Sequence, residues 1–200
     1  MAQSRLWTTL PDWAVYAVGS IPAVYYFGAA FSNSLGADPL KVLEHSLGEW
    51  ALRFLILGLA VTPLMRFARI NLVKYRRAIG LTAFAYVVLH LAVYMALDLQ
   101  FDWVAIGKDI IKRPYITIGM AAFLMLIPLA ITSNAASIRR LGTAGWRTLH
   151  RLVYPAALFG AVHYLLLVKS WPPEPIVYSM IVVALLAVRL VKPARRVRTA

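Results

Sequence analysis

Apolar segments long enough to cross a lipid bilayer recur along the whole 200-residue chain. A membrane-spanning helix needs about 20 mostly apolar residues, and in lipid only helices and closed barrels satisfy all their backbone hydrogen bonds. The chain is 61% hydrophobic, with a mean hydropathy of +0.70, whereas soluble domains are about 45–50% apolar. The sequence therefore predicts an all-α fold, a polytopic membrane helix bundle.

We predict six transmembrane helices within a single domain that covers residues 1–200. The connections between them are short, and neither a low-complexity tract nor a strong internal repeat is visible. The first run is long for the apolar part of a signal peptide and no small-residue cleavage site stands out, so it counts as a span. The predicted spans are 13–31, 48–65, 78–97, 115–133, 152–169 and 175–191.

Lys and Arg concentrate on one side of this predicted arrangement, while seven of the eight acidic residues lie on the other side. The positive-inside rule then places both termini in the cytoplasm. The net charge of +13 indicates topology and contact with anionic lipid, and it does not indicate nucleic-acid binding. The basic residues on the cytoplasmic side are Arg5, Arg66, Arg69, Lys74, Arg76, Arg77, Arg139, Arg140, Arg147, Arg151, Arg189, Lys192, Arg195, Arg196 and Arg198.

Two histidines, His90 in the third span and His163 in the fifth, are predicted at similar depth in the outer half of the membrane. Ionisable groups inside a membrane are costly and usually functional. The chain has no cysteine, which excludes thiolate-bound metals, and two facing imidazoles are the axial ligands that heme iron takes in a helix bundle. A packing contact between the rings is the simpler alternative. Zinc or copper would need further ligands, and a proton relay would need a carboxylate inside a span.

Other polar residues have weaker claims to a role. His150 lies at the cytoplasmic entrance of the fifth span, level with Arg76 and Arg77. His45 precedes the second span at the outer surface, where it could move protons for quinol chemistry or be an ordinary solvated loop residue. Arg53, near the outer end of the second span, is expected to reach the interface with its long side chain.

Several segments of the chain together resemble the MsrQ family, also called YedZ, which supplies heme-binding membrane subunits. They are "LGADPLKVLEHSLGEWALRFLILGLAVTPL", "YRRAIGL", "LHL", "KRPYITIG", "LAITS" and "WRTLHRLVY" followed by "VHYLLLVK". Wider relatives, the ferric-reductase-like transmembrane domains, hold two stacked hemes with two histidines on each of two helices. The resemblance implies a b-type heme domain over residues 1–200, in the bacterial inner membrane.

The resemblance further implies a pathway for electrons. They would come from the membrane quinol pool, or from a reduced FMN supplied by a cytosolic flavin reductase. They would leave for MsrP, a periplasmic molybdopterin enzyme that reduces methionine sulfoxide in proteins. The chain lacks a glycine-rich nucleotide fingerprint, so we expect an electron-transfer subunit whose partner carries the catalysis.

The sequence departs from the four-histidine pattern of the wider relatives. His90 and His163 account for one heme, but an inner heme would have His150 on one side and no second imidazole. Arg76 or Arg77 would then bind a heme propionate or a flavin phosphate, and Arg113 would bind a propionate, although membrane anchoring explains all three equally well. Two alternatives stay open: a self-standing membrane ferric reductase, and a non-heme transporter or scaffold with a structural histidine pair.

Overall fold

The computed structural model describes residues 11–168 and 172–190, which form eight α-helices and no strand. Turns of π-helix, Leu64–Ala68 and Tyr94–Asp98, extend the second and third helices, and 3-10 turns, Val73–Tyr75 and His150–Leu152, precede the third and seventh. The all-α prediction is confirmed for these residues. The helices are α1 (Trp13–Phe31), α2 (Pro39–Pro63), α3 (Arg76–Val93), α4 (Trp103–Lys112), α5 (Pro114–Ile131), α6 (Ala135–Leu149), α7 (Val153–Leu167) and α8 (Pro173–Leu190).

Five of the described helices are long and apolar enough to cross a membrane: α1, α2, α3, α5 and α8, counting the π-helical extensions of α2 and α3. The remaining predicted span, 152–169, contains α7, which has only 15 residues. At 1.5 Å per residue α7 covers about 22 Å, less than the roughly 30 Å of a hydrocarbon core. Six spans and cytoplasmic termini therefore stay predictions, and residues 1–10 and 191–200, which carry part of the charge argument, lie outside the described residues.

The second span begins nine residues earlier than predicted, at Pro39 instead of residue 48. A carboxylate oxygen of Asp38 accepts a hydrogen bond from the backbone N–H of Lys41 at 3.1 Å, and a proline at the first helical position already has the right φ. The charged residues of this first part lowered its hydropathy and hid the helix. The N-cap Asp38 and the first helical residue Pro39, and not the hydropathy, decide where α2 begins.

Two amphipathic helices occupy connections that were predicted to be short. Asp102 caps α4 by accepting from the N–H groups of Val104 and Ala105, and Asn134 caps α6 by accepting from the N–H of Ser137. Both helices are too short and too polar on one face to span a membrane. Such helices lie in the plane of the membrane interface.

The centre of the bundle consists of two helix pairs, α2 packed on α3 and α5 packed on α7. The closest approaches use small or aliphatic residues, as membrane helices do, and α1 and α8 flank the pairs from outside. The residues with almost no exposed surface include Leu47, Leu59, Ala83, Ala156, Ala157 and Ala161. Each helix that carries an intramembrane histidine, α3 or α7, thus has its strongest packing with a helix that carries none.

Tyr86 of α3 joins α1 to the bundle through a break in the hydrogen bonds of α1. Its hydroxyl donates to the carbonyl of Gly19 at 2.7 Å and accepts from the N–H of Ala23 at 2.9 Å. These two backbone groups would otherwise bond to each other in an α-helix. The hydroxyl therefore sits inside the helix ladder next to Pro22, a known cause of helix bending.

We expect Tyr86→Phe to weaken the attachment of α1 by about 1–3 kcal/mol, the cost of leaving buried polar groups without partners. The measurement is thermal unfolding of purified protein in detergent. Tyr25→Phe is the control, because Tyr25 is 64% exposed. Equal melting temperatures for the two variants would show that α1 closes its own ladder when the hydroxyl is removed.

Arg189 of α8 binds a carbonyl that α2 cannot satisfy. Pro63 has no N–H, so the carbonyl of Leu59, four residues earlier, lacks its helical donor. The Arg189 Nη2 donates to that oxygen at 2.6 Å, and Nη1 donates to the Tyr154 hydroxyl at 3.1 Å. One guanidinium thus connects α8 to both α2 and α7.

Candidate functional site

The imidazoles of His90 on α3 and His163 on α7 face the same space between the two helix pairs. Their ring centroids are 6.2 Å apart, and their planes are inclined at 74°. A metal bound to one nitrogen of each ring at about 2.0 Å would place the ring centres about 6 Å apart. The spacing of the two rings therefore fits a single iron between two axial imidazoles.

Each ring is held by a backbone carbonyl of the neighbouring helix. The Nδ1 of His90 lies 2.9 Å from the carbonyl oxygen of Glu44, and the Nδ1 of His163 lies 2.7 Å from that of Tyr115. A carbonyl can only accept, so each Nδ1 carries the proton. The neutral ring then keeps its lone pair on Nε2, the arrangement found in metal-ligating histidines.

A cavity contains the two histidines and opens at one end of the bundle. Its walls are mainly apolar, including Leu52, Val87 and Phe123, and its mouth is polar. Within residues 11–168 and 172–190 no three His, Cys, Asp or Glu side chains group around a metal position. The histidine pair thus lacks the further protein ligands that a tetrahedral zinc site requires, while its apolar walls suit a large flat cofactor.

His45 also lines this cavity, but it is not the loop residue that the sequence suggested. It lies in the first turns of α2, is exposed, and belongs to the mouth of the cavity. The early start of α2 is the reason for this correction. The ring-to-ring contact in this cavity is between His90 and His163, and His45 takes no part in it.

Arg113 immediately precedes α5 and lines the same cavity at its mouth. It forms an ion pair with Asp109, with Nε 3.3 Å from Oδ1, and its Nη1 donates to the Tyr115 hydroxyl at 3.3 Å. Lys41 is a second cation at this mouth. Each cation already has a carboxylate partner, Asp109 for Arg113 and Asp38 for Lys41, and Glu44 and Asp98 also line the cavity, so the mouth carries charges of both signs.

Glu49 of α2 is a carboxylate in the same cavity as the histidine pair. It lines the same cavity, accepts a hydrogen bond from the Tyr164 hydroxyl at 2.7 Å and forms an ion pair with Arg53 at 2.9 Å. The Nε of Arg53 also donates to the hydroxyl of Tyr178 at 2.8 Å, and its guanidinium lies over the ring of Trp50. Arg53 is thus paired within the bundle, which corrects the expectation that it reaches for the interface alone.

A second cavity lies toward the opposite end of the bundle and is lined by His150 with Arg76, Arg77, Arg147 and Arg151. Arg76 begins α3, fourteen residues before His90, which corresponds to about 21 Å along the helix. His90 and His163 do not line this cavity, so the structure separates the predicted site residues into two groups. The arginine-rich lining favours an anionic ligand.

His150 belongs to the 3-10 turn before α7, so it does not share a continuous α-helix with His163. Its Nε2 lies 3.0 Å from the Thr132 hydroxyl oxygen, and its ring stacks on Trp146 at a centroid distance of 3.8 Å. Burial, and secondly the charge of Arg76, lower the pKa of His150 below its usual value. The lowered pKa favours the neutral ring that a metal ligand needs, but no second imidazole faces His150 among the described residues.

The two cavities are neighbours along the bundle axis. Leu55 and Leu126 line both cavities. The rings of Phe84 and Phe123 stack between the two cavities, with their centroids 6.1 Å apart and an interplanar angle of 4°. Phe84 belongs to the second cavity and Phe123 to the first. Only a thin layer of side chains therefore separates a ligand in one cavity from a ligand in the other.

Comparison with known proteins identifies the family. A family described as "Ferric reductase like transmembrane component" matches residues 47–161. A protein of Brucella anthropi named "Protein-methionine-sulfoxide reductase heme-binding subunit MsrQ" is 53% identical over 186 residues, which is 93% of this chain and 84% of the relative. The chain belongs to the MsrQ family. The protein of the same name from Brucella ovis is 52% identical over the same lengths, and no solved structure gives a significant match.

Membership of the MsrQ family agrees with the resemblance drawn from the sequence. The segment that matches the ferric reductase family, 47–161, contains His90, His150 and the Arg76–Arg77 pair. It ends two residues before His163, which the ring geometry brings to His90. In this MsrQ family member the two-histidine cavity thus depends on α7 beyond the matched segment.

Proposed function

We propose that this chain is a membrane electron carrier that binds b-type heme between His90 and His163. The single observation that carries the proposal is the pair of facing imidazoles, each fixed through Nδ1 by a backbone carbonyl. The names of the MsrQ relatives, which call them heme-binding subunits, support it. Heme iron with two axial imidazoles transfers single electrons and has no open position for oxygen.

The protein's own side chains would orient the cofactor in this cavity. His90 and His163 would supply the two axial nitrogens, and the apolar walls would exclude water from the iron. Arg113, together with Lys41, would bind the propionates at the mouth. The edge of the cofactor would then lie close to the outer surface, where a soluble partner can dock.

We infer that electrons enter at the second cavity. Its arginines Arg76, Arg77, Arg147 and Arg151 would bind a phosphate of reduced FMN, or a propionate of a second heme for which His150 is the available protein ligand. A membrane quinol is the other donor consistent with this end of the bundle. The thin layer with Leu55, Leu126 and the stacked Phe84 and Phe123 leaves a short distance to the first cavity.

The orientation in the membrane belongs to the same proposal. Six helices, with α7 crossing alongside α5 and α8, would place both termini in the cytoplasm of a bacterium and the protein in its inner membrane. The arginine-rich cavity then faces the cytoplasm, where a flavin reductase could supply electrons. The histidine pair faces the periplasm, where the methionine sulfoxide reductase MsrP would accept them.

The decisive experiment follows the heme of reduced protein. Purified protein is reduced with dithionite, and the excess dithionite is removed. The α absorption band of the reduced heme is then monitored in the absence of oxygen. We expect reoxidation only when MsrP and a methionine sulfoxide substrate are both present. A protein without heme, even after heme supplementation, would contradict the proposal and favour a transporter or scaffold.

A self-standing ferric reductase is the second candidate, favoured by the description of the matching family. The same reduced protein distinguishes it, because iron(III) chelates would then oxidise the heme without any partner. Reoxidation by a chelate as fast as by MsrP with its substrate would support this candidate and count against a dedicated relay.

A further inference from the structure

Two glycines lie so close to the histidine rings that an added Cβ atom would crowd the ring at Gly48 and overlap it at Gly119. A Cβ atom added to Gly48 of α2 would lie 3.2 Å from Nδ1 of His90. A Cβ atom added to Gly119 of α5 would lie 2.8 Å from Nδ1 of His163, closer than real Cβ atoms come to any neighbour. Each ring therefore rests directly on the backbone of the facing helix.

The same local arrangement occurs twice in the bundle. The carbonyl that binds His90 belongs to Glu44, four residues before Gly48, and the carbonyl that binds His163 belongs to Tyr115, four residues before Gly119. Residues four apart lie one above the other on a helix. In both helix pairs the ring crosses the bare surface at the glycine and reaches the carbonyl one turn earlier.

We propose that Gly48 and Gly119 are positioning residues for the two axial imidazoles. They allow each ring close enough to the helix for the hydrogen bond from Nδ1–H to the carbonyl of Glu44 or Tyr115, and they thereby set the plane of each ring. This inference rests on the proposed heme ligation and adds what determines the ligand orientation.

The physical reason is that a helix carbonyl is normally covered by the side chains around it. A methyl group at Gly119 must push the His163 ring away, which breaks its hydrogen bond and turns its plane. At Gly48 the contact is milder, so the His90 ring needs to move by only a few tenths of an ångström. The effect of alanine is thus expected to be larger at Gly119 than at Gly48.

The test compares Gly119→Ala, Gly48→Ala and a control, Gly160→Ala, in the full-length, heme-loaded protein. Gly160 lines the same cavity, but an added Cβ would come no nearer than 4.0 Å to Leu52 Cδ1. Alanine raises helix propensity over glycine by about 1 kcal/mol, so a loss cannot be attributed to a weaker helix. The readouts are heme per protein, the midpoint potential, and the EPR g values of the ferric heme, which depend on the angle between the two imidazole planes.

We expect Gly119→Ala to weaken heme binding by about 10–100-fold, the usual effect of removing support from a metal ligand. Gly48→Ala should retain heme with shifted g values and potential, and Gly160→Ala should match the wild type. If Gly119→Ala yields no folded protein, unchanged g values and potential in Gly48→Ala overturn the inference.

Failure of this inference is distinguishable from failure of the proposed function. Wild-type heme content, g values and potential in both Gly119→Ala and Gly48→Ala would overturn the positioning role alone. Heme binding that survives alanine at His90 and at His163 would remove the ligation, and the positioning role with it.

Discussion

Alanine at His90 or at His163 is expected to remove the low-spin heme from the purified protein. Each ring would supply one axial nitrogen to an iron that fits the 6.2 Å between their centroids, and among the described residues no third His, Cys, Asp or Glu side chain groups with them to replace a lost imidazole. We expect heme per protein to fall by more than about tenfold, a loss already typical when only a group supporting a metal ligand is removed. A pyridine hemochrome titration against protein concentration, with the reduced α band, gives the result.

Two matched histidine variants complete this experiment. His45→Ala should keep full heme, because His45 lies at the exposed mouth of the cavity. His150→Ala separates one heme from two: an unchanged ratio of heme to protein means that His150 binds none. If the His90 and His163 variants both retain wild-type heme, the ligand assignment is wrong.

Leucine at Glu49 is expected to destabilise the folded bundle. The change leaves the half-buried Arg53 without its carboxylate and Tyr164 without its acceptor. Breaking a buried ion pair costs about 3–5 kcal/mol. The side chains of Arg53 and Glu49 are 34% and 28% exposed, so solvent screens part of their attraction and we expect a loss of about 2 kcal/mol. Thermal unfolding in detergent measures the loss.

The controls for Glu49 use the same pair of positions. Glu49→Gln keeps one amide oxygen that can accept from Arg53, while its NH2 group can donate to the Tyr164 hydroxyl oxygen, so it should lose less stability than Glu49→Leu. Replacing both members, Glu49→Leu with Arg53→Met, should recover much of the loss, because an apolar pair leaves no buried charge alone. If the double variant is less stable than Glu49→Leu, the bonds of Arg53 to Tyr178 and Trp50 outweigh its pairing with Glu49.

The histidine pair was accessible to sequence reasoning because depth in a membrane is a one-dimensional quantity. A rise of 1.5 Å per residue, counted from the outer ends of two helices, places His90 and His163 at one level without knowledge of their neighbours. To predict the direction in which each ring points, one must also know how each helix is rotated about its own axis. That rotation is set by the packing of α3 on α2 and of α7 on α5, which spacing alone does not give.

The errors of the sequence analysis have a common physical cause. Hydropathy counts each residue alone, so Lys41, Glu44 and His45 lowered the hydropathy of the first turns of α2 and hid them, although the helix begins at Pro39. The amphipathic helices α4 and α6 were read as connections because half of each faces water. The sequence did not indicate a role for Gly48 or Gly119, because the role of a glycine in an apolar helix depends on the side chain that packs against it.

The amino-acid sequence by itself determined that this chain is a membrane helix bundle, which family it resembles, and which two histidines share a level. These properties follow from local chemistry: apolar length, charge distribution and rise per residue. Only the tertiary structure decided that the rings face each other 6.2 Å apart, that carbonyls of α2 and α5 hold them, and that the arginines surround a separate cavity with His150. Those features depend on contacts between helices far apart in the chain, which arise only when the helices pack.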